Sequence, residues 1–497
     1  MDHNASAGEY RFIVVSNRLP VDRVIEADGA ASWAGSPGGL VTALEPVMRA
    51  NEGAWIGWGG QPDLEFEPFD SDGIRVVPVP LTAADIRDYY EGFSNDTLWP
   101  LYHDVIAPPS FHREWWESYV DVNKRFAAAA AAAAAPGAIV WVQDYQLQLV
   151  PKLLRELRPD LTIGFFNHIP FPPYGIYSQL PWRTQIVEGL LGADVIGFQR
   201  GADASNFQRA VRRLKGFATR ATQIEVPLVD PSPGVRVFGP IKRAGSFRTV
   251  IARAFPISID ARSFEQLARS ESVQARARQI REELGNPATI MLGVDRLDYT
   301  KGIGHRLKAY GELLAEGRIS AEDVTLLQVA NPSRERVQAY MALRDEIELT
   351  VGRINGDYAT IAHTPISYHH HGYPREEMAA FYLAADVMLV TALRDGMNLV
   401  AKEYVASRFD EEGVLVLSEF AGASDELTRA LLINPHDIDG LKDAIMRAIT
   451  MPKRERSARM RSMRRRVIEH DVTRWSNDFL KVLGAHAHHG AGGHELH

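Results

Sequence analysis

Two strand-to-helix junctions in the second half of the chain carry cationic, acidic and glycine residues whose spacing could form a binding site. In VDRLDYTKG (294–302), Arg296 and Lys301 follow a predicted strand and precede the amphipathic segment IGHRLKAYGELL. Two cations and a glycine beside a helix start are typical of an anion site, because the first peptide N–H groups of a helix have no partner within it. The alternative interpretation of this motif alone is a solvent-exposed loop with two cations.

The second junction, ALRDGMNLVAKEY (392–404), offers complementary groups. Gly396 allows a ligand to approach the backbone closely, and the carboxylates of Asp395 and Glu403 can accept hydrogen bonds from hydroxyl groups. The N–H groups expected to be free at the start of the next helix are those of Asn398, Leu399, Val400 and Ala401. A nucleotide sugar, an anion flanked by hydroxyl-bearing rings, would satisfy all of them. The alternative is a capped core helix with a peripheral salt bridge.

The first half of the chain places single polar residues at the ends of predicted strands. Arg18 follows RFIVVSN, Asp144 follows AIVWVQ, and His168 follows LTIGFFN, while SPGGL, with Gly39, precedes a predicted helix. A lone histidine more often has a structural role. The prolines of IPFPP, however, stiffen the turn after His168 and favour a functional position for it.

Buried strand patterns alternate with amphipathic helical patterns in two arrays along the chain. The first array contains RFIVVSN, AIVWVQD, LTIGFFNH and DVIGFQ; the second contains TIMLGVDRL, VTLLQVA, DVMLVTAL and GVLVLSE. The expected linker between them is FPIS (255–258). Because parallel strands need helical crossovers, two such arrays predict two doubly wound α/β domains. Ligands of such sheets bind beyond the carboxyl ends of the strands, so the predicted site is the cleft between the domains.

Composition excludes several classes of function. The chain of 497 residues has no cysteine, which excludes disulfides, thiolate metal sites and a thiol nucleophile. A net charge of −8 argues against nucleic-acid binding, and the basic stretch 453–466 lacks interleaved aromatic residues and is interpreted as a solvated helix face. The polar N-terminus resembles no signal peptide, and no apolar run reaches membrane-span length. We therefore expect a cytoplasmic protein without a membrane partner.

Common catalytic and nucleotide-binding templates are missing from the sequence. It contains no P-loop, no G-x-S-x-G elbow and no G-x-G-x-x-G motif. YHHHGY (368–373) could suggest a metal cluster, but adjacent histidines are expected to point in different directions. No metal site is therefore predicted.

The motifs of the chain, taken in order, resemble those of glycosyltransferase family 20, the trehalose-6-phosphate synthase family. The segments that carry this resemblance, from residue 11 to residue 480, are SNRLP, GGL, YYEGFSNDTLWP, WVQDYQL, GFFNHIPFP, RLDYTKG, NPSR, GRINGDY and RDGMNLVAKEY. The resemblance implies an α/β fold of the GT-B architecture, with two Rossmann-like domains facing across a deep cleft and a C-terminal helix crossing back to the first domain. The implied parts are an acceptor-binding domain (1–255) with a returning helix (470–485) and a nucleotide-sugar-binding domain (256–469). The tail (486–497) is rich in glycine and histidine, and its composition predicts disorder.

The same resemblance implies transfer of glucose from a nucleoside diphosphate glucose to glucose 6-phosphate with retention, giving α,α-trehalose 6-phosphate. No metal and no cofactor are expected, and the protein is expected to be a homo-oligomer, either a tetramer or a dimer. UDP-, ADP- and GDP-glucose are all open as donors, because SYHHHGYP, where the base would be recognised through the Tyr373 backbone, departs from the family pattern. The alternative function is a sister synthase with another phosphorylated acceptor, such as glycerol 3-phosphate.

The resemblance also implies donor-binding roles for individual residues. Arg296 and Lys301 match the pair that holds the donor diphosphate, and Glu403 matches the acid that binds the ribose hydroxyls. Asp395 and His168 match groups that position the donor glucose. The further donor-binding positions are Gly39, Tyr373, Gly396, Met397, Asn398, Leu399, Val400 and Ala401.

The acceptor site and the catalytic group are implied in the same way. The residues matching the glucose 6-phosphate site are Arg18, Tyr90, Asp144 and Arg334, with Trp99 shaping the pocket. The residues expected to act in catalysis are Asp144, His168, Arg296, Lys301 and Asp395. Retention in this family is explained by attack on the same face of the sugar, with the departing phosphate taking the acceptor proton. Asp144 would then orient the acceptor, or act as a base.

Overall fold

The computed structural model describes residues 8–25, 31–35, 39–228 and 247–487. It divides into two compact units. The first contains the chain up to Pro256 together with the residues from Arg474 onward, and the second is Ile257–Thr473. The boundary after Pro256 falls within FPIS, one residue after the predicted boundary at 255. The boundary after Thr473 lies four residues after the predicted end of the second domain at 469.

The first unit contains one large sheet, a small hairpin and surrounding helices. Its strands are β1 (Tyr10–Arg18), β2 (Val21–Ile25), β3 (Ala31–Gly35), β4 (Ala54–Trp58), β5 (Phe69–Ser71), β6 (Ile74–Pro78), β7 (Ala134–Gln143), β8 (Thr162–Asn167), β9 (Val195–Phe198), β10 (Thr219–Arg220), β11 (Gln223–Pro227) and β12 (Phe247–Ala254). Its helices are α1 (Gly39–Ala50), α2 (Ala83–Asp85), α3 (Trp99–Tyr102), α4 (Arg113–Ala133), α5 (Val150–Leu157), α6 (Tyr174–Tyr177), α7 (Arg183–Leu190) and α8 (Gly201–Lys215), with a π-helix at Ile86–Leu98 and a 3₁₀ turn at Tyr145–Leu147.

The order of the large sheet is β10-β11-β12-β9-β8-β7-β1-β4-β6-β5, and the strands from β12 to β6 are parallel. Starting from β6 and counting only the parallel strands by chain order, this is 3-2-1-4-5-6-7, the order of a doubly wound sheet with one strand added. The winding direction reverses between β1 and β7. Ligands of such sheets bind at this switch point, beyond the carboxyl ends of the strands.

The last helix, α17 (Val472–Ala487), packs against the sheet of the first unit. The ring of Phe479 stacks on Trp141 at 4.4 Å between centroids, and Trp475 lies edge-on to Phe166 at 5.1 Å. Burial of large aromatic rings attaches this C-terminal helix to the N-terminal sheet. The helix includes residues 486 and 487, which the sequence interpretation placed in the tail, and the rest of that predicted tail lies outside the described residues.

The second unit is a six-stranded, all-parallel sheet flanked by helices. Its strands are β13 (Thr289–Arg296), β14 (Val324–Asn331), β15 (Ile366–His369), β16 (Val387–Val390), β17 (Val414–Ser418) and β18 (Leu431–Ile433). Its helices are α9 (Ala261–Arg269), α10 (Glu271–Glu283), α11 (Ile303–Ala315), α12 (Gln338–Tyr358), α13 (Arg375–Ala384), α14 (Leu399–Ser407), α15 (Ile438–Thr450) and α16 (Lys453–Glu469), with 3₁₀ turns at Tyr299–Lys301 and Gly422–Asp425.

The strand order of the second sheet is β15-β14-β13-β16-β17-β18, which is 3-2-1-4-5-6 by chain order. This is the order of a nucleotide-binding doubly wound fold, with its switch point between β13 and β16. The central strands are buried on both faces, which explains their continuous apolar sequences. The predicted junction 294–302 begins in the last residues of β13, and the predicted junction 392–404 begins just after β16.

Candidate active site

The loop after β13 is attached to the residues after β16 by one backbone and one side-chain hydrogen bond. The N–H of Leu393 donates to the carbonyl of Thr300 at 2.7 Å, and the hydroxyl of Thr391 donates to the carbonyl of Gly302 at 3.1 Å. Gly302 has φ of +63°, and a Cβ there would lie 2.1 Å from the carbonyl oxygen of Thr391. The close approach of the two junctions therefore requires glycine at this position.

A salt bridge joins the side chains of the two junctions. Lys301 Nζ donates to Asp395 Oδ2 at 2.5 Å, and the side chains are only 11% and 13% exposed. Asp395 also accepts from the N–H of Met397 at 3.3 Å and from Asn398 Nδ2 at 3.2 Å. The aspartate therefore orients both the lysine and the turn that leads into α14.

The N-terminus of α14 is capped by Asn398. This residue has φ of +77°, and its Oδ1 accepts from the N–H of Ala401 at 3.0 Å. The prediction that the Ala401 N–H is free for a ligand is therefore wrong, because an asparagine side chain at this position reaches back to the helix. The N–H groups of Leu399 and Val400 have no acceptor within the helix, and the positive end of the helix dipole lies there.

The turn around Gly396 is supported by the segment after β17. The N–H of Asp395 donates to the carbonyl of Phe420 at 3.2 Å, and the N–H of Ala423 donates to the carbonyl of Met397 at 2.7 Å. Bonds on both sides of Gly396 leave its backbone little freedom. The turn is therefore preorganised rather than shaped by a ligand.

Glu403, one turn into α14, accepts a hydrogen bond from the buried hydroxyl of Tyr382 on α13 at 2.7 Å. Burial raises the pKa of Glu403, while the Tyr382 hydrogen bond and the charge of Arg375 oppose that rise. Only Oε2 is used by the tyrosine. The hydrogen bond from Tyr382 therefore fixes the orientation of this carboxylate near the carboxyl edge of the sheet. Binding of two neighbouring hydroxyl groups would require such a fixed orientation.

Arg296 and Arg334 lie at the ends of adjacent strands of the second unit. Arg296 is the exposed last residue of β13, and Arg334 follows β14 with φ of +48°. The side chain of Arg334 is 6% exposed, and its Nη1 donates to Asp298 Oδ2 at 3.3 Å. The structure thus places Arg296, Lys301 and Arg334 around one loop, where Lys301 pairs with Asp395 and Arg334 with Asp298.

Tyr373 follows β15, the next strand along the same edge. Its hydroxyl lies 2.7 Å from Nδ1 of His369, and its ring meets Phe381 edge-on at 4.8 Å. His370 instead lies 3.1 Å from the carbonyl of Ala330, through Nδ1. In the described parts of the chain, no group of three or more His, Cys, Asp or Glu side chains is arranged to hold a metal ion.

The switch point of the first unit carries Arg18, the last residue of β1. Its guanidinium pairs with Asp22 at 2.5 Å and lies over the ring of Trp58 at 5.1 Å. Gly60 has φ of +88°, and a Cβ there would lie 2.3 Å from Nη2 of Arg18. The ring of Tyr90 is 6.2 Å from that of Trp58, so both predicted acceptor residues are close to the same tryptophan.

A π-helix, Ile86–Leu98, carries Tyr90. Helices of this type are rare in proteins, and those that occur are often found at functional sites. The neighbouring Tyr89 is fully buried and donates through its hydroxyl to Asn17 Oδ1 at 2.8 Å, directly beside Arg18. Trp99 directly follows the π-helix, and its buried ring lies 5.7 Å from that of Tyr145.

Asp144 follows β7 on the other side of this switch point. Its backbone has φ of +73° and ψ of 170°, a conformation that costs a non-glycine residue about 1–3 kcal/mol. Its Oδ1 accepts from the N–H groups of Tyr145 at 2.9 Å and His168 at 3.0 Å. Strain of this kind is concentrated at functional sites, and here it aims a carboxylate beyond the strand end.

His168 follows β8 and is held between two glutamines. Its Nε2 lies 2.9 Å from Gln143 Oε1, and its Nδ1 lies 3.5 Å from Gln199 Nε2. Burial lowers the pKa of His168 to about 3. The imidazole is therefore neutral near pH 7 and suited to hydrogen bonding rather than to carrying charge. Gly39, the remaining predicted position, begins α1, and residues 36–38 of its loop lie outside the described residues.

The sequence model of glycosyltransferase family 20 matches residues 10–485. The chain belongs to glycosyltransferase family 20. Trehalose-6-phosphate synthase from Mycolicibacterium vanbaalenii is 57% identical over 488 residues, which cover 97% of this chain and 97% of the relative. Trehalose-6-phosphate synthase from Mycolicibacterium smegmatis is 57% identical over 484 residues, 97% of this chain and 94% of the relative.

Solved structures of the same family are also similar. An α,α-trehalose-phosphate synthase (UDP-forming) from Burkholderia xenovorans, in complex with glucose-6-phosphate, has a TM-score of 0.84 at 34% identity, covering 95% of this chain and 100% of that one. The Escherichia coli protein bound with UDP-2-fluoro glucose has a TM-score of 0.84 at 33% identity, covering 95% and 98%. The predicted α/β fold of the GT-B class and the prediction of a glycosyltransferase are thereby confirmed.

Four residues of this family 20 enzyme support the site but escaped the sequence interpretation. They are Gln143, Asp298, Tyr340 and Tyr382. Asp298 lies within the quoted motif RLDYTKG, where its position between two cations could have indicated it. Gln143 lies within the quoted motif WVQDYQL, directly before Asp144. Tyr340 and Tyr382 lie outside the quoted motifs and carry no signal of their own.

Proposed function

We propose that this family 20 enzyme transfers glucose from a nucleoside diphosphate glucose to glucose 6-phosphate with retention, forming α,α-trehalose 6-phosphate. The donor is UDP-, ADP- or GDP-glucose, bound mainly by residues of the second unit, and most of the acceptor residues belong to the first unit. The proposal includes a cytoplasmic location and a homo-oligomeric state, a dimer or a tetramer. No described helix is both long enough and apolar enough to cross a membrane.

The observation that carries the proposal is the cationic switch point of the second unit. Lys301 Nζ, 2.5 Å from Asp395, lies at the same sheet edge as Arg296 and the N-terminus of α14. A diphosphate placed there would meet two cations and the N–H groups of Leu399 and Val400. Glu403 would accept from the ribose hydroxyls, and Asp395 from hydroxyls of the glucose ring.

The similar proteins support this choice of substrates. The Burkholderia xenovorans enzyme contains glucose-6-phosphate, and the Escherichia coli protein contains a fluorinated UDP-glucose. The relatives at 57% identity are trehalose-6-phosphate synthases that cover nearly the whole chain. At that identity over that length, a shared substrate class is the simplest inference.

The residues proposed to contact the acceptor are Arg18, Tyr90, Trp99 and Asp144, and Arg334 is the residue proposed for its phosphate. Arginine forms paired N–H to phosphate hydrogen bonds, which a free sugar hydroxyl cannot replace. The strained, twice-bonded carboxylate of Asp144 is better suited to orienting an acceptor hydroxyl than to moving during a proton transfer. The paired hydrogen bonds from arginine to a phosphate would explain selectivity for a phosphorylated sugar over a free one.

The proposed chemistry follows from the charges. Cleavage of the bond between glucose and the diphosphate creates positive charge on the sugar and negative charge on the leaving group. Arg296, Lys301 and the N-terminus of α14 stabilise the leaving group. The acceptor hydroxyl attacks from the face that the diphosphate leaves, and the departing phosphate oxygen takes its proton. Neutral His168, whose ring nitrogens face Gln143 and Gln199, would line the donor side of the site without adding charge.

A matrix of donors against acceptors tests the proposal. Release of nucleoside diphosphate is measured for UDP-, ADP- and GDP-glucose with glucose 6-phosphate, glucose and glycerol 3-phosphate. We expect release to depend on glucose 6-phosphate and on at least one donor. Turnover with glycerol 3-phosphate in place of glucose 6-phosphate would favour a sister synthase and contradict the proposal.

A further inference from the structure

Asp298 is a buried carboxylate, 1% exposed, in the middle of the loop that carries Arg296 and Lys301. Its two oxygen atoms have different partners. Oδ1 accepts from the N–H and the hydroxyl of Thr300, both at 2.9 Å, and so shapes the 3₁₀ turn before Lys301. Oδ2 instead accepts from Arg334 Nη1 at 3.3 Å and from the hydroxyl of Tyr340 at 3.0 Å.

Tyr340 completes this network from α12. Its hydroxyl accepts a hydrogen bond from Arg334 Nη1 while it donates to Asp298 Oδ2, and the guanidinium lies 5.4 Å from its ring centre. Arg334 is thus contacted by a carboxylate, a hydroxyl and an aromatic face. Three contacts of different geometry restrict the rotamers of an otherwise flexible side chain, and less entropy is then lost when it binds an anion.

The charge state of Asp298 suits this task. Burial alone would raise the pKa of Asp298, but the positive charges of Arg334, Arg296 and Lys301 outweigh burial and lower the pKa to about 2. The carboxylate is therefore ionised throughout the physiological range. A permanent negative charge beside Arg334 also limits how far the guanidinium can turn toward other acceptors.

We propose that Asp298 is a positioning residue for the acceptor: through Oδ2, and together with Tyr340, it holds Arg334 in the orientation that receives the acceptor phosphate. The inference rests on the proposed function, in which Arg334 binds that phosphate. It adds a residue that contacts no substrate and that belongs to the donor loop. A single carboxylate thereby supports the donor turn with one oxygen and the acceptor arginine with the other.

The competing explanation is that Asp298 only shapes its own loop. Because the two oxygen atoms of Asp298 have different partners, the variant Asp298→Asn can distinguish the two explanations. An asparagine retains a carbonyl oxygen that can accept from Thr300, but its NH₂ group cannot accept from Arg334 or Tyr340. We expect the amide oxygen to face Thr300, because the backbone N–H of Thr300 is fixed in position, so the variant should preserve the turn before Lys301 and remove the anchor of Arg334.

Steady-state kinetics of Asp298→Asn with both substrates test the inference. We expect the KM for glucose 6-phosphate to rise roughly 10- to 100-fold, as for loss of a charged hydrogen bond, and the KM for the donor to change less than about threefold. Asp386→Asn is the matched control. Asp386 accepts from Arg281 at 2.9 Å and from the N–H of Ile290 at 2.8 Å, before β16 at the opposite edge of the same sheet. We expect it to leave both KM values unchanged.

A double-variant cycle tests whether Asp298 acts through Arg334. In an Arg334→Ala background, Asp298→Asn should change the KM for glucose 6-phosphate less than about twofold, because the group it positions is gone. Multiplicative effects of the two substitutions would overturn the inference. So would equal rises in both KM values for the single variant, which would indicate a role in the loop alone.

Two further outcomes are distinguishable. If Asp298→Asn does not fold, Tyr340→Phe decides, with a several-fold rise in the KM for glucose 6-phosphate expected and an unchanged KM contradicting the inference. If the wild-type enzyme releases no nucleotide with glucose 6-phosphate, the proposed function fails. If the wild-type enzyme does use glucose 6-phosphate but Asp298→Asn retains its KM, the inference about Asp298 fails by itself.

Discussion

Lys301 Nζ lies 2.5 Å from Asp395 Oδ2, and this contact joins residues 94 positions apart at the switch point of the second sheet. The lysine belongs to the loop after β13 and the aspartate to the turn after β16. Since both side chains are largely buried, loss of one partner leaves the other charge poorly solvated. Loss of either partner should therefore destabilise the second unit, and in the proposed function the pair also positions a cation for the donor.

Replacement of Lys301 by alanine should affect stability and activity separately. We expect the free energy of unfolding to fall by about 1–3 kcal/mol, because the Asp395 carboxylate loses its charged partner. The double variant Lys301→Ala/Asp395→Ala should regain part of that stability but no activity. Urea unfolding and turnover are measured for both. A double variant that regains activity would remove these residues from the site.

Activity should not require added metal. In the proposed function, Arg296, Lys301 and the N-terminus of α14 would supply the positive charge that a metal would otherwise bring to the diphosphate. We expect undiminished product formation after treatment with EDTA and exhaustive dialysis. Strict dependence on magnesium, with restoration by magnesium alone, would contradict this part of the mechanism.

Donor affinity should fall at acid pH through protonation of Glu403. Burial raises the pKa of this carboxyl, so it becomes neutral at a higher pH than an exposed glutamate does. Only the charged form accepts strongly from two ribose hydroxyls. Tyr382→Phe removes a hydrogen bond that lowers this pKa, and should therefore move the acid loss of affinity to higher pH.

Glu403→Gln is the reference for that experiment. It should bind the donor nucleotide more weakly, by about 1.5–3 kcal/mol for each charged hydrogen bond lost. Because glutamine does not titrate, the affinity of this variant should not fall further as the pH is lowered through the range in which Glu403 is protonated. Calorimetric titration with the nucleotide at several pH values measures all three proteins. An unchanged affinity in Glu403→Gln would place the ribose elsewhere.

His168 should remain neutral across the physiological range. Burial lowers the pKa of His168 to about 3, against about 6.5 for an unperturbed histidine. Below pH 6.5 the unfolded chain then binds a proton that the native state does not, so this contribution to stability is lost as the pH falls from 6.5 toward 3. The NMR signals of the His168 ring should not shift between pH 5 and 8. A titration midpoint near 6.5 would contradict this assignment.

Arg334→Ala should lower acceptor efficiency far more than donor affinity. Loss of one paired guanidinium–phosphate interaction leaves the acceptor dianion underpaired, and kcat/KM for glucose 6-phosphate should fall roughly 30- to 150-fold. Donor affinity should change little, because Arg296 and Lys301 are retained. Equal losses for both substrates, or no loss for the acceptor, would show that the phosphate binds elsewhere.

Much of this site could be predicted because its residues lie at strand ends. Arg296, Asp395, Arg18 and Asp144 follow apolar strand patterns directly, and parallel sheets bring such ends to one edge. Side-chain contacts could not be predicted in this way. The bond from Tyr382 to Glu403 and the capping of Ala401 by Asn398 depend on rotamers and helix geometry, which strand patterns do not encode.

The π-helix at Ile86–Leu98 also escaped prediction. Its widened turns depend on tertiary contacts such as the hydrogen bond from Tyr89 to Asn17, 72 residues away along the chain. No local propensity distinguishes such a segment from an ordinary helix. The resemblance to the family indicated Tyr90, but the π-helix on which Tyr90 lies could be identified only from the folded structure.

The most direct test of the account is the structure of the product made from a nucleoside diphosphate α-glucose and glucose 6-phosphate. Proton NMR of the purified product distinguishes α from β configuration at each anomeric carbon and identifies the phosphorylated ring. The account predicts a single disaccharide phosphate with both anomeric centres α and phosphate on one C6. A β linkage, a linkage to another hydroxyl, or free glucose as the sole sugar product would contradict it.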